Sequence, residues 1–529
     1  MLILQNISYS HPNKSLLFDN INLTVNINEK IALIGNNGSG KSTLLKLISK
    51  EFQPLHGQII VNSKPYLIPQ IFGQFNHLTI KKALKVENKL YALEEILNGN
   101  LSEENYSCLN DDWTIEDRCI DALKHWQLSD LDLSQKMETL SGGQKTKVFL
   151  AGISIHQPEL VLLDEPSNHL DLAGRELLYN YIQSTTSTLI IVSHDRKLLN
   201  LIDKVAELNK SRITIYGGNF DFYTKQKQIE NNALNQDLLS KEKALRKAKE
   251  KERETMERQQ KLDNRGRGKQ EKSGVARIMM NTLRNNAENS TSKLKDVHTE
   301  KIVGIKTELQ ELRSALPDVD RMKIGFDNSS LHKGKILFKA DGINYKFNSN
   351  QLWKDNLSFQ ITSGQRLELK GINGSGKTTL IKIIIGKLKP MTGSVYQQEN
   401  ESVYIDQDYS LIENELKVYE QAQRYNFSRL QEHEIKIRLS RFLFSQNDWE
   451  KSCHILSGGE KMRLILCCLT ISNKSPDIII LDEPTNNLDI QNIEILTSAI
   501  NEYQGTLIVV SHDETFLDQI KINQSIQLS

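Results

Sequence analysis

A chain of 529 residues exceeds what one hydrophobic core sustains, about 250–300 residues, and so divides into two or three domains. With 38% hydrophobic and 25% charged residues it is neither collagen-like, fibrous nor wholly disordered. Sixty-seven basic against 66 acidic residues exclude a uniformly basic nucleic-acid coat, so any polyanion-binding surface must be local.

The N-terminal residues 1–10 lack a basic-then-apolar secretory pattern, and the longest apolar runs, such as 464–471, fall far short of the roughly 18–20 residues that cross a bilayer. No integral membrane segment and a cytoplasmic location are therefore expected. Residues 31–34 form an apolar strand leading into Gly35-Asn36-Asn37-Gly38-Ser39-Gly40-Lys41-Ser42-Thr43, after which a Leu-rich helix begins. Strand, glycine-rich loop and helix are the setting of a phosphate cradle: glycines let successive N–H groups converge on phosphate oxygens, Lys41 neutralises them, and Ser42 offers a hydroxyl to Mg²⁺. Further on, Leu140-Ser141-Gly142-Gly143-Gln144 opens a helix whose first N–H groups make a second anion cradle. The apolar run 160–163 reads as a strand buried on both faces and ends in Asp164-Glu165. Asp164 suits Mg²⁺ held through water, and Glu165 suits a general base for an attacking water. A second buried strand, 188–192, delivers His194 as a γ-phosphate sensor.

All of this returns downstream in the same order. The loop recurs as Gly371-Ile372-Asn373-Gly374-Ser375-Gly376-Lys377-Thr378-Thr379, the second cradle as Leu456-Ser457-Gly458-Gly459-Glu460, and the acidic pair as Asp482-Glu483, with His512 behind it. Gln70 pairs with Gln407 at an offset of 337 residues, but Ser141 pairs with Ser457 at 316. The first copy therefore carries about 20 extra residues within 90–131, room for one short helix at most. Within one copy the Ser-Gly-Gly cradle has no phosphate left to hold. A head-to-tail arrangement follows, in which the Lys loop of one copy and the Ser-Gly-Gly helix of the other sandwich each ATP.

The segment between the copies is rich in Lys, Glu, Gln, Asn and Ala, without proline until Pro317. Its stretches 225–263 and 275–316 predict two helices joined by a glycine-marked turn at 264–274. Ile302, Ile305, Leu309, Leu312 and Leu316 give the second helix an apolar seam, and Leu234, Leu238 and Leu245 a weaker one on the first, so a long antiparallel hairpin projecting from the body is expected. A flexible charged linker is the plainer alternative. Between Arg258 and Arg284 eight basic residues, Arg258, Lys261, Arg265, Arg267, Lys269, Lys272, Arg277 and Arg284, face only Asp263 and Glu271. An excess of +6 in a chain of total charge +1 suits RNA phosphates, with a solvated helix face as the alternative. Five cysteines (Cys108, Cys119, Cys453, Cys467, Cys468) without a CxxC pair predict buried free thiols, with neither a disulfide framework nor a zinc site.

With these motifs the chain resembles the soluble ABC-F family of ATP-binding cassette translation factors. The resemblance implies an α/β fold of two P-loop cassettes joined by a helical hairpin, with domains at 1–216, 217–334 and 335–529. It implies an ATPase using ATP and Mg²⁺, with Glu165, Glu483, His194 and His512 catalytic. The metal ligands would be Ser42, Gln70 and Asp164 at one site and Thr378, Gln407 and Asp482 at the other. Asn168-His169-Leu170-Asp171 and Asn486-Asn487-Leu488-Asp489 match the family's D-loops, which follow the acidic pair. Adenine would stack on Tyr9 or His11 in the first copy and on Tyr345 or Phe347 in the second. It further implies a monomer with intramolecular cassette pairing that enters the ribosomal E site and sets its linker against P-site tRNA and the peptidyl-transferase centre. The family's inserted arm is expected to be reduced or absent here, with no long basic tail, as in members that protect ribosomes from antibiotics. Two rival readings are a soluble motor for separate membrane transport subunits and a DNA-maintenance ATPase.

Overall fold

The computed structural model describes the chain except for residues 12–15, 71, 210–211, 271–276, 316–331, 333, 348–349, 373, 473–475, 487 and 529. It divides into two compact units: Met1–Tyr223 together with Met322–Ser529, and Thr224–Arg321.

In the first unit each copy of the repeat builds the same pair of sheets. Strands β1 (Leu2–Ser10), β2 (Leu16–Val25) and β4 (His56–Val61) form an antiparallel sheet in the order β2-β1-β4. A second sheet runs β5-β6-β7-β3-β8-β9, from β3 (Lys30–Ile34), β5 (Tyr66–Ile68), β6 (Leu160–Asp164), β7 (Thr188–Val192), β8 (Lys204–Leu208) and β9 (Ile213–Tyr216). Its strands are parallel except β9. The second copy repeats this with β10 (Ile336–Asn344), β13 (Leu357–Thr362) and β15 (Thr392–Gln397) antiparallel, beside a short pair β11 (Lys346–Phe347) and β12 (Asn350–Gln351). Its parallel sheet runs β16-β17-β18-β14-β19, from β14 (Arg366–Lys370), β16 (Ser402–Ile405), β17 (Ile478–Asp482), β18 (Thr506–Val510) and β19 (Gln524–Gln527).

The continuous apolar runs of β6 and β7 follow from burial on both faces. Leu160, Leu162, Ile190 and Val192 pack toward the antiparallel sheet, whereas Val161, Leu163, Leu189 and Ile191 pack into the helical side. A period of two divides one strand between two cores. In the second copy Trp353 is fully buried, and its Nε1 donates to the Ser375 carbonyl of the glycine-rich loop at 2.9 Å. Trp353→Ala should therefore destabilise this copy by about 3–5 kcal/mol, from the cavity it opens. Denaturant unfolding followed by circular dichroism measures this, and a loss under about 1 kcal/mol would show the indole to be dispensable.

Two expectations are corrected in the first copy. The extra residues form two helices, Glu87–Leu97 and Glu103–Leu109, packed on one another, rather than one. A short helix needs a partner to bury its apolar stripe, and Ala92, Leu93, Ile96 and Leu109 supply both stripes. Among the cysteines, four are buried as expected but Cys108, on the second of these helices, is exposed.

The second unit consists of helical segments. The helix Phe220–Gln270 and the helix Arg277–Ala315 account for 51 and 39 residues, roughly 77 and 58 Å at 1.5 Å per residue. Lys241 pairs with Glu308, and Arg313 donates to Glu242 at 2.6 Å, so the two lie side by side. Ile302 and Leu309 of the expected seam are buried, and Ile305, Leu312, Leu234, Leu238 and Leu245 are half-buried. Leu316 lies outside the described residues. The turn expected at 264–274 is corrected: the first helix continues through Gly266 and Gly268 to Gln270. Two isolated glycines cost about 1 kcal/mol each relative to alanine, too little to break a long helix that contains no proline.

Candidate functional site

The sites stand at the carboxyl ends of the parallel strands, where an α/β sheet leaves a crevice. Gly40 and Gly376 each cap the helix that follows the glycine-rich loop, at φ +96° and +87°. Only glycine suits both positions. A Cβ on Gly40 would stand 2.5 Å from the Phe18 ring, and one on Gly376 2.5 Å from Leu352. Lys41 Nζ donates to the Gly35 carbonyl at 2.6 Å and Lys377 Nζ to that of Gly371 at 2.8 Å, so each lysine lies folded across its own loop. Burial lowers the pKa of Lys41, countered by the charges of Glu165, Asp489 and Asp164.

Glu165 and Glu483 occupy the left-handed region at φ +52° and +50°. Such backbone costs of order 1–3 kcal/mol for a non-glycine residue. Here the Glu165 N–H donates to Val192 O and the Glu483 N–H to Val510 O, both at 2.8 Å, fixing the turn on the neighbouring strand. The turn brings Glu165 Oε1 to 3.2 Å from His194 Nε2, and Glu483 Oε1 to 3.3 Å from His512 Nε2. Burial pushes the Glu165 carboxyl up to about 8 and Glu483 up to about 7. Burial also pushes His194 down to about 3 and His512 down to about 4. The Glu165–His194 contact is therefore one between neutral groups at pH 7.

Asp164 and Asp482 end their strands buried, with pKa values raised by that burial. Ser42 hydrogen-bonds to Asp164, yet Asp164 Oδ1 is buried without a partner. Tyr404 donates to Asp482 Oδ2 at 2.8 Å. Ser141 and Ser457 are helix N-caps, each accepting from the N–H three residues on, with Gln144 and Glu460 reaching back to close capping boxes. The Ser457 hydroxyl in addition donates to the Glu460 carboxylate at 2.7 Å.

The two copies meet head to tail. A cavity of about 510 Å³ is lined by Ser141, Gly142 and Gly143 of the first copy and by Lys377, Thr378, Gln407, Asp482, Glu483 and His512 of the second. At the reciprocal place the Asn37 N–H of the first loop donates to Asp489 Oδ2 of the second copy at 2.8 Å. Gln70 lies half-buried two residues beyond β5. Tyr9 is buried and stacked on Phe52 at 5.9 Å, His11 stands edge-on to Tyr9 at 5.3 Å, and His11 Nε2 lies 3.5 Å from the Thr43 hydroxyl of the first loop. Tyr345 is half-buried in the second core, and the Phe347 side chain and Asn373 lie outside the described residues. Among the basic residues of the linker, Arg258, Lys261 and Arg265 are exposed, while Lys272 and the side chains of Arg267, Lys269, Arg277 and Arg284 lie outside the described residues. Two contributors escaped sequence reasoning: Trp353 beneath the second loop, and Arg175, which lines the cavity. Aligning the copies sets Arg175 against Ile493, 318 residues on, a single mismatch that does not by itself mark a site residue.

The ABC transporter family model matches residues 18–168 and 354–486, one match on each copy. ABC transporter F family member 5 of Arabidopsis thaliana is 30% identical over 563 residues, covering 99% of this chain and 74% of that protein. The chain belongs to the ABC-F family. ATP-binding protein Uup of Escherichia coli K12 is likewise 30% identical, over 95% of this chain and 76% of Uup. The structure of the archaeal ribosome recycling factor aABCE1 in complex with the ribosomal stalk protein aP1 shares the fold, with TM-score 0.61 and 18% identity over 98% of this chain and 86% of that one. A model of ribosome-bound archaeal Pelota and ABCE1 also superposes, with TM-score 0.57, 17% identity and 98% and 74% coverage. This ABC-F protein thus carries two ATP-binding cassettes and hydrolyses ATP. Among the described residues no helix is long and apolar enough to cross a membrane.

Proposed function

We propose that this protein is a ribosome-binding ATPase whose paired cassettes close on two ATP molecules and reopen on hydrolysis. In this reading residues 1–216 and 335–529 are the cassettes and 217–334 the linker. Each ATP lies between the Lys loop of one cassette and the Ser-Gly-Gly helix of the other. The reading is carried by the cavity that joins Ser141, Gly142 and Gly143 to Lys377, Glu483 and His512. Glu165 and Glu483 would take a proton from the attacking water, and the neutral imidazoles of His194 and His512 would hydrogen-bond the terminal phosphate. Because burial raises the pKa of both glutamates, their ionisation at pH 7, and so their capacity to accept that proton, would depend on nearby positive charge, that of Lys41 or Lys377 among it.

The oxygen donors suit Mg²⁺: Ser42, Gln70 and Asp164 at the first site, with Asp164 Oδ1 unpartnered, and Thr378, Gln407 and Asp482 on one cavity wall at the second. In this reading the ion arrives with the nucleotide phosphates. When bound it would neutralise charge on those phosphates. The exposed Arg258, Lys261 and Arg265 would meet RNA phosphates. Action on P-site tRNA from the E site, with or without protection from an antibiotic, is the finer form of the proposal.

Sedimentation tests it. In ATP, the Glu165→Gln/Glu483→Gln variant should pellet with purified ribosomes several-fold more than wild type, and should not pellet with vesicles or duplex DNA. Enrichment with DNA would favour a DNA-maintenance ATPase, enrichment with membranes a transport motor, and no enrichment with ribosomes would end the ribosome-cycle reading.

A further inference from the structure

The two cassettes do not supply one another with the same groups. Arg175 stands four residues after Asp171, in the helix Leu172–Ser184 of the first cassette. Its Nε donates to its own Leu170 carbonyl at 3.3 Å, and its Nη1 crosses to the His512 carbonyl of the second cassette at 3.4 Å. Half-buried, it lines the cavity that holds Lys377, Glu483 and His512, and no carboxylate pairs with it within 4.0 Å among the described residues. After burial, Arg175 is the strongest influence on the Glu483 carboxyl, drawing it down, and it also lowers the His512 pKa.

The reciprocal position holds Ile493, which is 2% exposed. The charges acting most strongly on Glu165, those of Lys41, Asp164 and Asp195, all belong to its own cassette. What the second cassette brings to the first loop is an acceptor, Asp489 on the Asn37 N–H. Among the described residues the Lys377 site is thus met across the interface by a cation, Arg175, as well as by the charge of Asp171 on His512, and the Lys41 site by the carboxylate of Asp489.

We propose that Arg175 acts in trans as a positioning residue for the nucleotide bound at Lys377, setting a fixed positive charge toward its terminal phosphate, and that the Lys41 site lacks this cation. The proposal rests on the head-to-tail reading of the sites. A guanidinium there distinguishes nucleoside triphosphate from diphosphate, since only the former carries a phosphate at the Glu483 end of the cavity. The Lys377 site would then close in the presence of triphosphate more readily than the Lys41 site, making the two inequivalent in one chain.

Equilibrium binding of ATP and ADP to full-length protein tests this in two backgrounds. In Lys41→Ala, where the Lys377 site is left intact, Arg175→Ile should weaken ATP about tenfold and ADP by less than about twofold. Arg175→Lys should recover part of the loss, keeping charge without the fork. In Lys377→Ala the same substitution should leave both nucleotides within about twofold. An unchanged ATP affinity in the first background would overturn the proposal. So would an equal loss of ATP and ADP, or equal losses in both backgrounds, which would make Arg175 a brace for the loop 168–171. Stoichiometry separates this from failure of the site reading. If each lysine variant loses one of two bound ATP molecules, the sites stand whatever Arg175 does; if neither does, both proposals fall.

Discussion

Replacing Glu165 and Glu483 together by glutamine should lower kcat for ATP about a thousandfold while ATP remains bound. The substitution is nearly isosteric and removes only the capacity to accept a proton. The left-handed turn that aims each side chain is fixed by the backbone bonds to Val192 and Val510, which glutamine leaves in place. Burial already disfavours the ionised carboxylate, so a neutral amide imposes no new desolvation cost. The His194 N–H, which donates to Glu165 Oε2 at 3.3 Å, finds the same acceptor in the glutamine carbonyl oxygen. Turnover assays with parallel nucleotide binding measure the outcome. A double variant that retains more than about a tenth of wild-type kcat would show that neither glutamate is the base.

The fold was legible because its signals are periodic and repeated. Apolar runs bounded by glycine-rich loops named the buried strands, and recurrence of four motifs in one order named the two cassettes. The site was legible at the residues that carry phosphate chemistry. What stayed hidden depends on distance across the interface rather than on local pattern. Nothing around Arg175 marks it as a neighbour of His512, 337 residues away. Nothing around Trp353 marks it as the support of Ser375. The glycines at 266 and 268 misled for a different reason. Glycine is a weak breaker, and a helix of 51 residues averages over two unfavourable positions.

If the cassettes act only as a pair, arginine at both Ser141 and Ser457 should lower ATP turnover at least about a hundredfold, since each reacting phosphate loses the group that orients it from the far side. The cavity of about 510 Å³ already holds Lys377 and Arg175, so a third cation adds bulk and like-charge repulsion where the cassettes must approach. Each substitution also removes a helix N-cap, at about 1 kcal/mol per helix, a loss that a chain with two large cores should tolerate. The Lys loops are untouched, so nucleotide should still bind, and turnover alone should collapse. Circular dichroism, a binding isotherm and a phosphate-release assay on one preparation separate these quantities. Normal turnover in a folded double variant would mean that each cassette hydrolyses ATP by itself. The Asn37–Asp489 bond and the cavity at Ser141 would then be packing contacts alone.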